Sequence, residues 1–274
     1  MTDGRQLSTV TLEWWLPILL GVVEGLTEFL PVSSTGHLIV TGHVLGFTGE
    51  FAKTFKIAIQ LGAILAVVVF FRKRLTDLVV CVPHDRGAQR LALAVALAFL
   101  PAAVVGFFAR GVIKAYLFTP QTVAFALIAG GVAILLIEAR NRTASTTKLE
   151  AVDHRTALWV GVAQCLSLFP GVSRSGATIM GGLLAGMDRK TASEFSFFVA
   201  LPTMFAATLY DAYKSRALLV EESAVWLALG SAAAFVTALA VIAVFLRFIQ
   251  RHTFRVFAYY RIVFGLVVLL LFRT

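Results

Sequence analysis

Charged side chains are scarce in this chain of 274 residues. Asp, Glu, Lys and Arg together make up 14% of it, while 59% is hydrophobic and the mean hydropathy is +0.86. Such a composition excludes an ordinary soluble globular domain. Cysteine is rare as well, because only Cys81 and Cys165 occur and they match no motif spacing. Neither a disulfide framework nor a cysteine-bound metal is therefore expected.

Acidic residues are outnumbered by basic ones, 15 to 24, which gives a net charge of +9. This excess does not indicate a nucleic-acid partner, because no compact basic face or nucleic-acid motif is present. The basic residues fall in short clusters between apolar runs, in the segments FFRKRL, EARNRT and QRHTFR. Clusters of this kind follow the positive-inside rule of membrane proteins.

Apolar runs of about 20 residues recur along the whole chain, the length that a helix needs to cross a bilayer. The strands of a membrane barrel would be shorter and would alternate in polarity. The sequence therefore predicts an all-α polytopic membrane protein. We expect a single integral membrane domain over residues 1–274, inserted into the bilayer by its own spans.

The chain resembles itself when it is shifted by 140 residues. The segment GVVEGLTEFLPVSSTGHLIVTGHVLGF at 21–47 then lies over GVAQCLSLFPGVSRSGATIMGGLLAGM at 161–187. Glycines and serines keep their register over this stretch, which shared membrane composition alone does not explain. The two predicted halves of the repeat cover residues from about 10 to 145 and from about 150 to 274.

Both halves have the same predicted plan, a pair of short apolar segments broken by a Pro-Ser-Gly tip and then three full-length runs. The pairs cover 12–30 with 34–47 and 156–169 with 173–187, and the runs cover 52–71, 91–109, 121–139, 192–213, 223–246 and 256–272. Each pair predicts a re-entrant helical hairpin, because its segments are too short to cross singly. Three crossings per half is an odd number, so the repeats are expected to be inverted, with their tips meeting near the midplane.

The loop charges predict the orientation. The face that would hold Arg72, Arg140 and Arg247 is richer in Lys and Arg than the opposite face, so it is expected to be cytoplasmic. Both termini and the mouth of the first hairpin would then face outward.

Glu24 and Glu28 are the acidic residues of the first hairpin and lie at i and i+4, on one face of a helix. An ionisable residue inside a membrane segment is a functional candidate by default. The simpler interpretation is a pair of carboxylates that reach the interface at a helix end. Two carboxylates on one face can also hold a divalent cation through oxygen ligands, or one of them can act as a general base.

The first tip, PVSSTGH, begins the second helix of its hairpin. Ser33, Ser34 and Thr35 can cap that helix, and its N–H groups with the positive end of its dipole form an anion site. His37 follows within one turn and is a candidate base or proton donor. His43 is interpreted as structural.

The second tip, PGVSRSGAT, places one arginine among small and hydroxyl residues. Arg174 suits a phosphate because its planar guanidinium makes two-point contacts. The alternative is that Glu24 or Glu28 is its permanent partner across the repeat. The residues expected to bind substrate in the two tips are Ser33, Thr35, Ser173, Ser175, Gly176 and Thr178.

The combination of acids, hydroxyls, a histidine and an arginine at two helix N-termini is typical of phosphoryl chemistry. A lipid diphosphate fits, since its chain can stay between helices while its head group enters the polar pocket. This hypothesis requires Glu28 and Arg174 to share one cavity.

The motifs EGLTEFLPVSSTGH and PGVSRSGAT resemble the two signature motifs of the bacterial undecaprenyl-diphosphate phosphatase family of the bacitracin-resistance type, and the resemblance covers essentially the whole chain. It implies hydrolysis of undecaprenyl diphosphate to the monophosphate and inorganic phosphate, which recycles the lipid carrier for peptidoglycan synthesis. It also implies dependence on a divalent cation such as Mg²⁺ or Ca²⁺, and an outward-facing site in the bacterial plasma (inner) membrane.

The predicted catalytic residues are Glu28, Ser34, His37 and Arg174, with Glu24 and Glu28 as metal ligands. In this hypothesis Arg174 and the tip N–H groups bind the diphosphate. Glu24 and Glu28 bind the cation, or Glu28 instead orients the attacking group. The nucleophile is either Ser34 activated by His37, or a water molecule with His37 handling protons.

Two other functions fit parts of the pattern. Inverted repeats with broken helices are typical of transporters and lipid flippases, and a structural or assembly protein could simply pair its buried charges. Patches of small residues, such as 129–131 and 230–234, also allow close helix contact within the chain or in a homodimer.

Overall fold

The computed structural model describes residues 14–117, 119–140, 143–214 and 221–272 of the chain. Within these ranges the regular structure is helical, apart from one isolated β-bridge between Thr146 and Met187. The all-α prediction is therefore confirmed. In a membrane this is the expected outcome, because a helix satisfies every backbone N–H and C=O group within its own segment.

The described part of the first half contains seven α-helices, and that of the second half contains five. The first seven are α1 (Trp15–Thr27), α2 (Ser34–Val44), α3 (Glu50–Ala58), α4 (Gln60–Phe70), α5 (Arg72–Cys81), α6 (Arg86–Tyr116) and α7 (Pro120–Glu138). The others are α8 (His154–Gln164), α9 (Arg174–Leu184), α10 (Arg189–Lys214), α11 (Glu221–Phe248) and α12 (Arg255–Leu271), with 3₁₀ turns at Leu149–Ala151 and Cys165–Leu168.

Five segments in the described ranges are long and apolar enough to cross a bilayer. They are Glu50–Phe70, Arg86–Ala109, Pro120–Glu138, Arg189–Asp211 and Ala224–Phe248. The sixth predicted run corresponds to the 17 residues of α12, about 25 Å of helix at 1.5 Å per residue. The chain is thus a multi-pass membrane protein.

The predicted run 52–71 is interrupted in the structure, where α3 ends at Ala58 and α4 begins at Gln60. The N–H of Gly62 bonds to the carbonyl of Ile59 at 3.0 Å, an i→i+3 contact that tightens the helix locally. Gly62 also allows α4 to pack closely against α11, because a Cβ at this position would lie 2.1 Å from the carbonyl oxygen of Ser231. Gln60, the first residue after the break, lines the cavity described below.

Both predicted hairpins are pairs of short helices, α1 with α2 and α8 with α9, and the members of each pair pack on each other. Gly21 and Gly161 occupy matching repeat positions and both allow close helix packing. A Cβ on Gly21 would lie 2.2 Å from the carbonyl oxygen of Gly230 in α11, and one on Gly161 would lie 2.7 Å from that of Ala98 in α6. The re-entrant path and the inverted relation of the halves stay predictions.

The buried apolar residues form four clusters in the described part of the chain. Phenylalanines dominate the largest apolar cluster, where Phe29 and Phe197 meet edge to face with their centroids 5.2 Å apart. Large apolar side chains also cover the outside, with Phe107 and Phe108 more than 70% exposed, as a lipid-facing surface requires. Several buried polar side chains belong to the two tips, among them Glu28, Ser33, Ser34, Ser173 and Ser175.

Ion pairs tie the helix ends on the face predicted to be cytoplasmic. Arg74, in the short helix α5 that the sequence did not indicate, pairs with Glu150 at 2.7 Å and with Glu194 at 2.9 Å. The buried carboxylate of Glu138 accepts two hydrogen bonds from Arg189, at 2.6 and 3.0 Å. Glu138 thereby joins the end of α7 to the start of α10.

Candidate active site

The first tip begins where α1 ends. Glu28 follows the last residue of α1 in helical conformation, and its N–H bonds to the carbonyl of Glu24 at 2.9 Å, so both carboxylates lie on one helical face as predicted. Pro31 disfavours further helix. Ser33 then caps α2, because its Oγ accepts the N–H of Gly36 at 3.3 Å.

Ser33 has a φ of 72°, the one positive φ of a non-glycine residue in the described ranges. Such a conformation is strained for a residue with a side chain and is found preferentially at functional sites. In the second tip the matching Ser173 has an ordinary φ of −67°, and the positive φ of 91° falls on Gly171. A Cβ on Gly171 would lie 2.6 Å from the carbonyl oxygen of Val123, so this position requires glycine.

The second tip is hydrogen-bonded to the first. Ser175 donates its hydroxyl to the carbonyl of Leu30 at 2.8 Å, and Ser173 approaches the same oxygen at 3.4 Å. Ser173 also caps α9, because its Oγ accepts the N–H of Gly176 at 3.0 Å. The two helix N-termini are therefore held side by side.

An ion pair joins the acidic tip to the basic one. Arg174 Nη2 donates to Glu28 Oε1 at 3.0 Å, with both side chains largely buried. The other carboxylate oxygen of Glu28 accepts the hydroxyl of Ser34. Arg174 Nη1 donates to the carbonyl of Ser196 at 3.1 Å, and the guanidinium lies 5.8 Å from the ring centroid of Phe29. One carboxylate thus orients both a hydroxyl and a guanidinium.

These groups line one cavity of about 110 Å³ between the tips. Six residues of its wall were predicted from the sequence: Glu28, Ser33, Ser34, Thr35, Ser173 and Arg174. Four were not: Gln60, Ser167, Val172 and Met204. Gln60 carried a usable signal, since it is a lone amide in an apolar run, and Ser167 lies just ahead of the second tip. Nothing in the sequence distinguished Met204.

Glu24 is completely buried one turn before Glu28, and neither of its carboxylate oxygens has a hydrogen-bond partner. It lies within electrostatic range of both Glu28 and Arg174. No cluster of three or more His, Cys, Asp or Glu residues occurs in the described ranges. Two carboxylates nevertheless fit Mg²⁺, which often takes only one or two from a protein and its remaining ligands from phosphate and water.

His37 is turned towards α12. Its Nδ1 lies 2.8 Å from the carbonyl oxygen of Ser33, and its Nε2 lies 2.6 Å from the hydroxyl of Tyr260. Because a carbonyl only accepts, Nδ1 carries the proton, and in the neutral ring Nε2 accepts from Tyr260. The ring stacks on Phe264 with centroids 4.3 Å apart. The activation of Ser34 by His37 is not what the structure displays, since Ser34 donates to Glu28; a catalytic role for His37 stays a prediction.

Thr178 and Gly176 lie in the first turns of α9 but outside the cavity wall. Thr178 donates to the carbonyl of Arg174 at 2.9 Å and its hydroxyl lies 2.6 Å from that of Ser196. These contacts support the backbone that carries Arg174. Direct substrate contacts by Thr178 and Gly176 stay predictions. His43 bonds the carbonyl of Ile39 and packs edge to face against Phe272 with the ring centroids 5.6 Å apart.

Comparison with known proteins places these features in a family. Residues 17–267 match the family model described as bacitracin resistance protein BacA. The undecaprenyl-diphosphatase of Nitrosomonas europaea is 53% identical over 253 residues, 92% of either chain. Undecaprenyl-diphosphatase 1 of Paraburkholderia xenovorans is 52% identical over 94% of this chain and 96% of its own, and the undecaprenyl-diphosphatase of Methylococcus capsulatus is 50% identical over 94% of either chain. A match of this extent, on a chain with both motifs in one cavity, means that the protein belongs to the bacitracin resistance protein BacA family.

Proposed function

We propose that this protein hydrolyses undecaprenyl diphosphate to undecaprenyl phosphate and inorganic phosphate. The similar proteins bear the name of that activity. The observation that carries the proposal is the Glu28 carboxylate, which bonds the Ser34 hydroxyl through one oxygen and the Arg174 guanidinium through the other. A hydroxyl nucleophile, a base and an anion-binding group therefore meet in one cavity.

The reaction would recycle the lipid carrier of cell-wall synthesis and confer bacitracin resistance. We place the protein in the bacterial plasma (inner) membrane with the cavity open to the outer, periplasmic side. The loop charges support this orientation, because the face predicted to be cytoplasmic is richer in Lys and Arg than the face on which the first hairpin would open. The prenyl chain would remain in the bilayer.

The diphosphate would bind between the two helix N-termini. The first-turn N–H groups of α2 and α9 and their dipoles favour an anion there. Arg174, which lines the cavity, would contribute its guanidinium, whose Nη groups bond Glu28 and Ser196 and whose buried Nε has no hydrogen-bond partner in the structure. On binding, phosphate oxygens would compete with Glu28 for Arg174.

The observed hydrogen bond favours Ser34 as the nucleophile and Glu28 as its base. In that step the Ser34 proton moves to Glu28 Oε2, Oγ forms a bond to the terminal phosphorus, and the bridging P–O bond breaks to release undecaprenyl phosphate. Water then hydrolyses the phosphoserine. A water molecule held at the same carboxylate could instead attack directly, and trapping the phosphoserine distinguishes the two routes.

We further propose that Glu24 and Glu28 hold a divalent cation, Mg²⁺ or Ca²⁺, together with oxygens of the diphosphate. When bound, the cation would neutralise charge on the phosphate groups. The two oxygens of Glu24, which accept no hydrogen bond in the structure, support this role, since a buried carboxylate that lacks hydrogen bonds is costly.

The test is phosphate release by the purified protein in detergent, with undecaprenyl or farnesyl diphosphate and Mg²⁺ or Ca²⁺. We expect multiple turnovers that stop on addition of a chelator. Detergent micelles have no second compartment, so transport cannot produce this signal. Absence of release from a folded, cation-supplied protein would rule out the phosphatase proposal and leave a transporter or a structural protein.

A further inference from the structure

Arg261 is a buried arginine that the proposed chemistry does not use. It lies in α12 with 2% of its surface exposed. Its guanidinium donates four hydrogen bonds, all to backbone carbonyls: two in α7, to Leu127 at 3.3 Å and Ala126 at 3.1 Å, and two in the tips, to Pro31 at 3.1 Å and Gly171 at 3.2 Å.

No carboxylate in the described part of the chain pairs with this arginine. A buried cation without a counter-ion is an expensive way to stabilise a fold, because apolar residues of similar size usually do as well. An ionisable residue inside a membrane protein is also a functional candidate. The position of Arg261 therefore needs a reason beyond packing.

The two tip carbonyls that it binds occupy matching places. Pro31 and Gly171 are 140 residues apart, the shift of the sequence repeat, and each precedes the N-cap of its helix by two residues. Those N-caps, Ser33 and Ser173, both line the cavity. A single planar guanidinium therefore fixes how far apart the two anion-binding helix ends lie.

We propose that Arg261 is a positioning residue of this site, a clamp that holds the two tips at the separation at which Ser34 and Arg174 act on one diphosphate. The inference rests on the proposed function for its kinetic consequences. The structural part of the proposal, that Arg261 holds the two tips together, can be tested without measuring turnover.

Helix α7 is shaped to admit the guanidinium. A Cβ on Gly130 would lie 2.1 Å from Arg261 Nη2, 2.7 Å from Cζ and 3.2 Å from Nε, and no other side chain or backbone atom is as near. The substitution Gly130→Ala therefore displaces the guanidinium while its charge stays on the chain.

A matched control exists one turn further along the same interface of α7 and α12. A Cβ on Gly265 would meet Ile128 Cγ1 at 2.7 Å, the carbonyl oxygen of Ala124 at 2.9 Å and Leu127 Cβ at 3.2 Å, and none of these atoms belongs to Arg261 or to the tips. Gly265→Ala therefore disturbs the same helix interface without entering the space of the guanidinium or touching the two tip carbonyls that it binds.

The experiment compares wild type, Gly130→Ala, Arg261→Gln, the double variant and Gly265→Ala in phosphate release from farnesyl diphosphate. Misplacing a reacting group by about 1 Å can cost about 100-fold in rate, so we expect kcat to fall about 100-fold in the first two variants, with KM within about 3-fold. The double variant should lose no more than either single one, because both remove the same contacts. Gly265→Ala should keep kcat within about 2-fold even if its Tm falls.

Amide hydrogen exchange of the two tips is a second measurement, which does not depend on activity. Exchange in residues 32–36 and 172–176 should rise together in Gly130→Ala and stay at the wild-type level in Gly265→Ala. Unchanged exchange in Gly130→Ala, or an equal loss of kcat in Gly265→Ala, would overturn the clamp. A wild-type protein that releases no phosphate would defeat the proposed function, and the exchange comparison would still decide on Arg261.

Discussion

The substitution Arg174→Ala tests the link between the two tips most directly. Arg174 bonds Glu28 at 3.0 Å and the carbonyl of Ser196 at 3.1 Å, and only 11% of its side chain is exposed. Removing Arg174 takes away the guanidinium proposed to bind the phosphate and also leaves Glu28 buried without a counter-ion. The first consequence lowers the turnover number and the second lowers the stability of the fold, and both can be measured.

The expected magnitudes follow from the geometry. Loss of one preorganised group that stabilises transition-state charge typically lowers kcat by about 10²–10³-fold, or about 3–4 kcal/mol. We expect Arg174→Ala to reach or exceed the upper end, because the guanidinium can meet the phosphate at two points. Stability should also fall by about 3–5 kcal/mol, the usual effect of removing one member of a buried ion pair.

Arg189→Ala is the matched control. Arg189 pairs at 2.6 Å with Glu138, whose side chain is only 1% exposed, but this pair lies outside the cavity between the tips. Its loss should reduce stability by about 1–3 kcal/mol, less than at Arg174 because Arg189 is 41% exposed. Turnover should remain within about 2-fold of wild type.

Phosphate release from farnesyl diphosphate is measured at a temperature where both variants are folded, as judged by thermal unfolding. If Arg174→Ala retained wild-type kcat, Arg174 would not be the group that binds the phosphate. If both variants lost kcat in proportion to stability, Glu28 and Arg174 would be a structural ion pair, as the structural-protein hypothesis requires.

Four further substitutions test the remaining assignments. Ser34→Ala should lower kcat about 10³-fold or more and abolish a rapid-quench phosphoserine; substantial residual turnover without a trapped intermediate in wild type would favour water as nucleophile. Glu24→Gln should raise the Mg²⁺ concentration for half-maximal activity at least about 10-fold and weaken Mg²⁺ binding in a calorimetric titration, and unchanged binding would remove Glu24 from the metal site. His37→Ala should lower kcat about 100-fold, whereas Tyr260→Phe, which removes one hydrogen bond, should cost only about 3–10-fold; equal losses would mean that His37 acts only through Tyr260.

The local features of the site could be predicted from the sequence because each one is a short-range effect. The acids at i and i+4, the proline that ends α1 and the serines that cap α2 and α9 depend only on neighbouring residues. Apolar length likewise predicted the spans. The sequence did not indicate the break at Ile59, and it overlooked Arg261 although an arginine within an apolar run is a recognisable signal.

The partners of the polar side chains could not be predicted, because they lie far apart in the chain. The sequence predicted His37 as the group that activates Ser34, with Glu28 as a cation ligand or as the group that orients the attacking group. In the structure the His37 ring bonds Tyr260 and stacks on Phe264, while the Ser34 hydroxyl donates to Glu28. These contacts depend on the packing of α12 beside the first tip, which no local pattern in the sequence indicates.

The sequence by itself determined that this protein lies in a lipid bilayer, and which polar residues it has there. A chain with so few charges must satisfy its backbone polar groups in helices within lipid, and the few charged residues inside its apolar segments are candidates for function. Only the tertiary structure decided which of those charges meet. Hydrogen bonds and ion pairs act over a few ångströms, so the contact of Glu28 with Arg174, and the joining of both tips by Arg261, exist only once distant helices have packed.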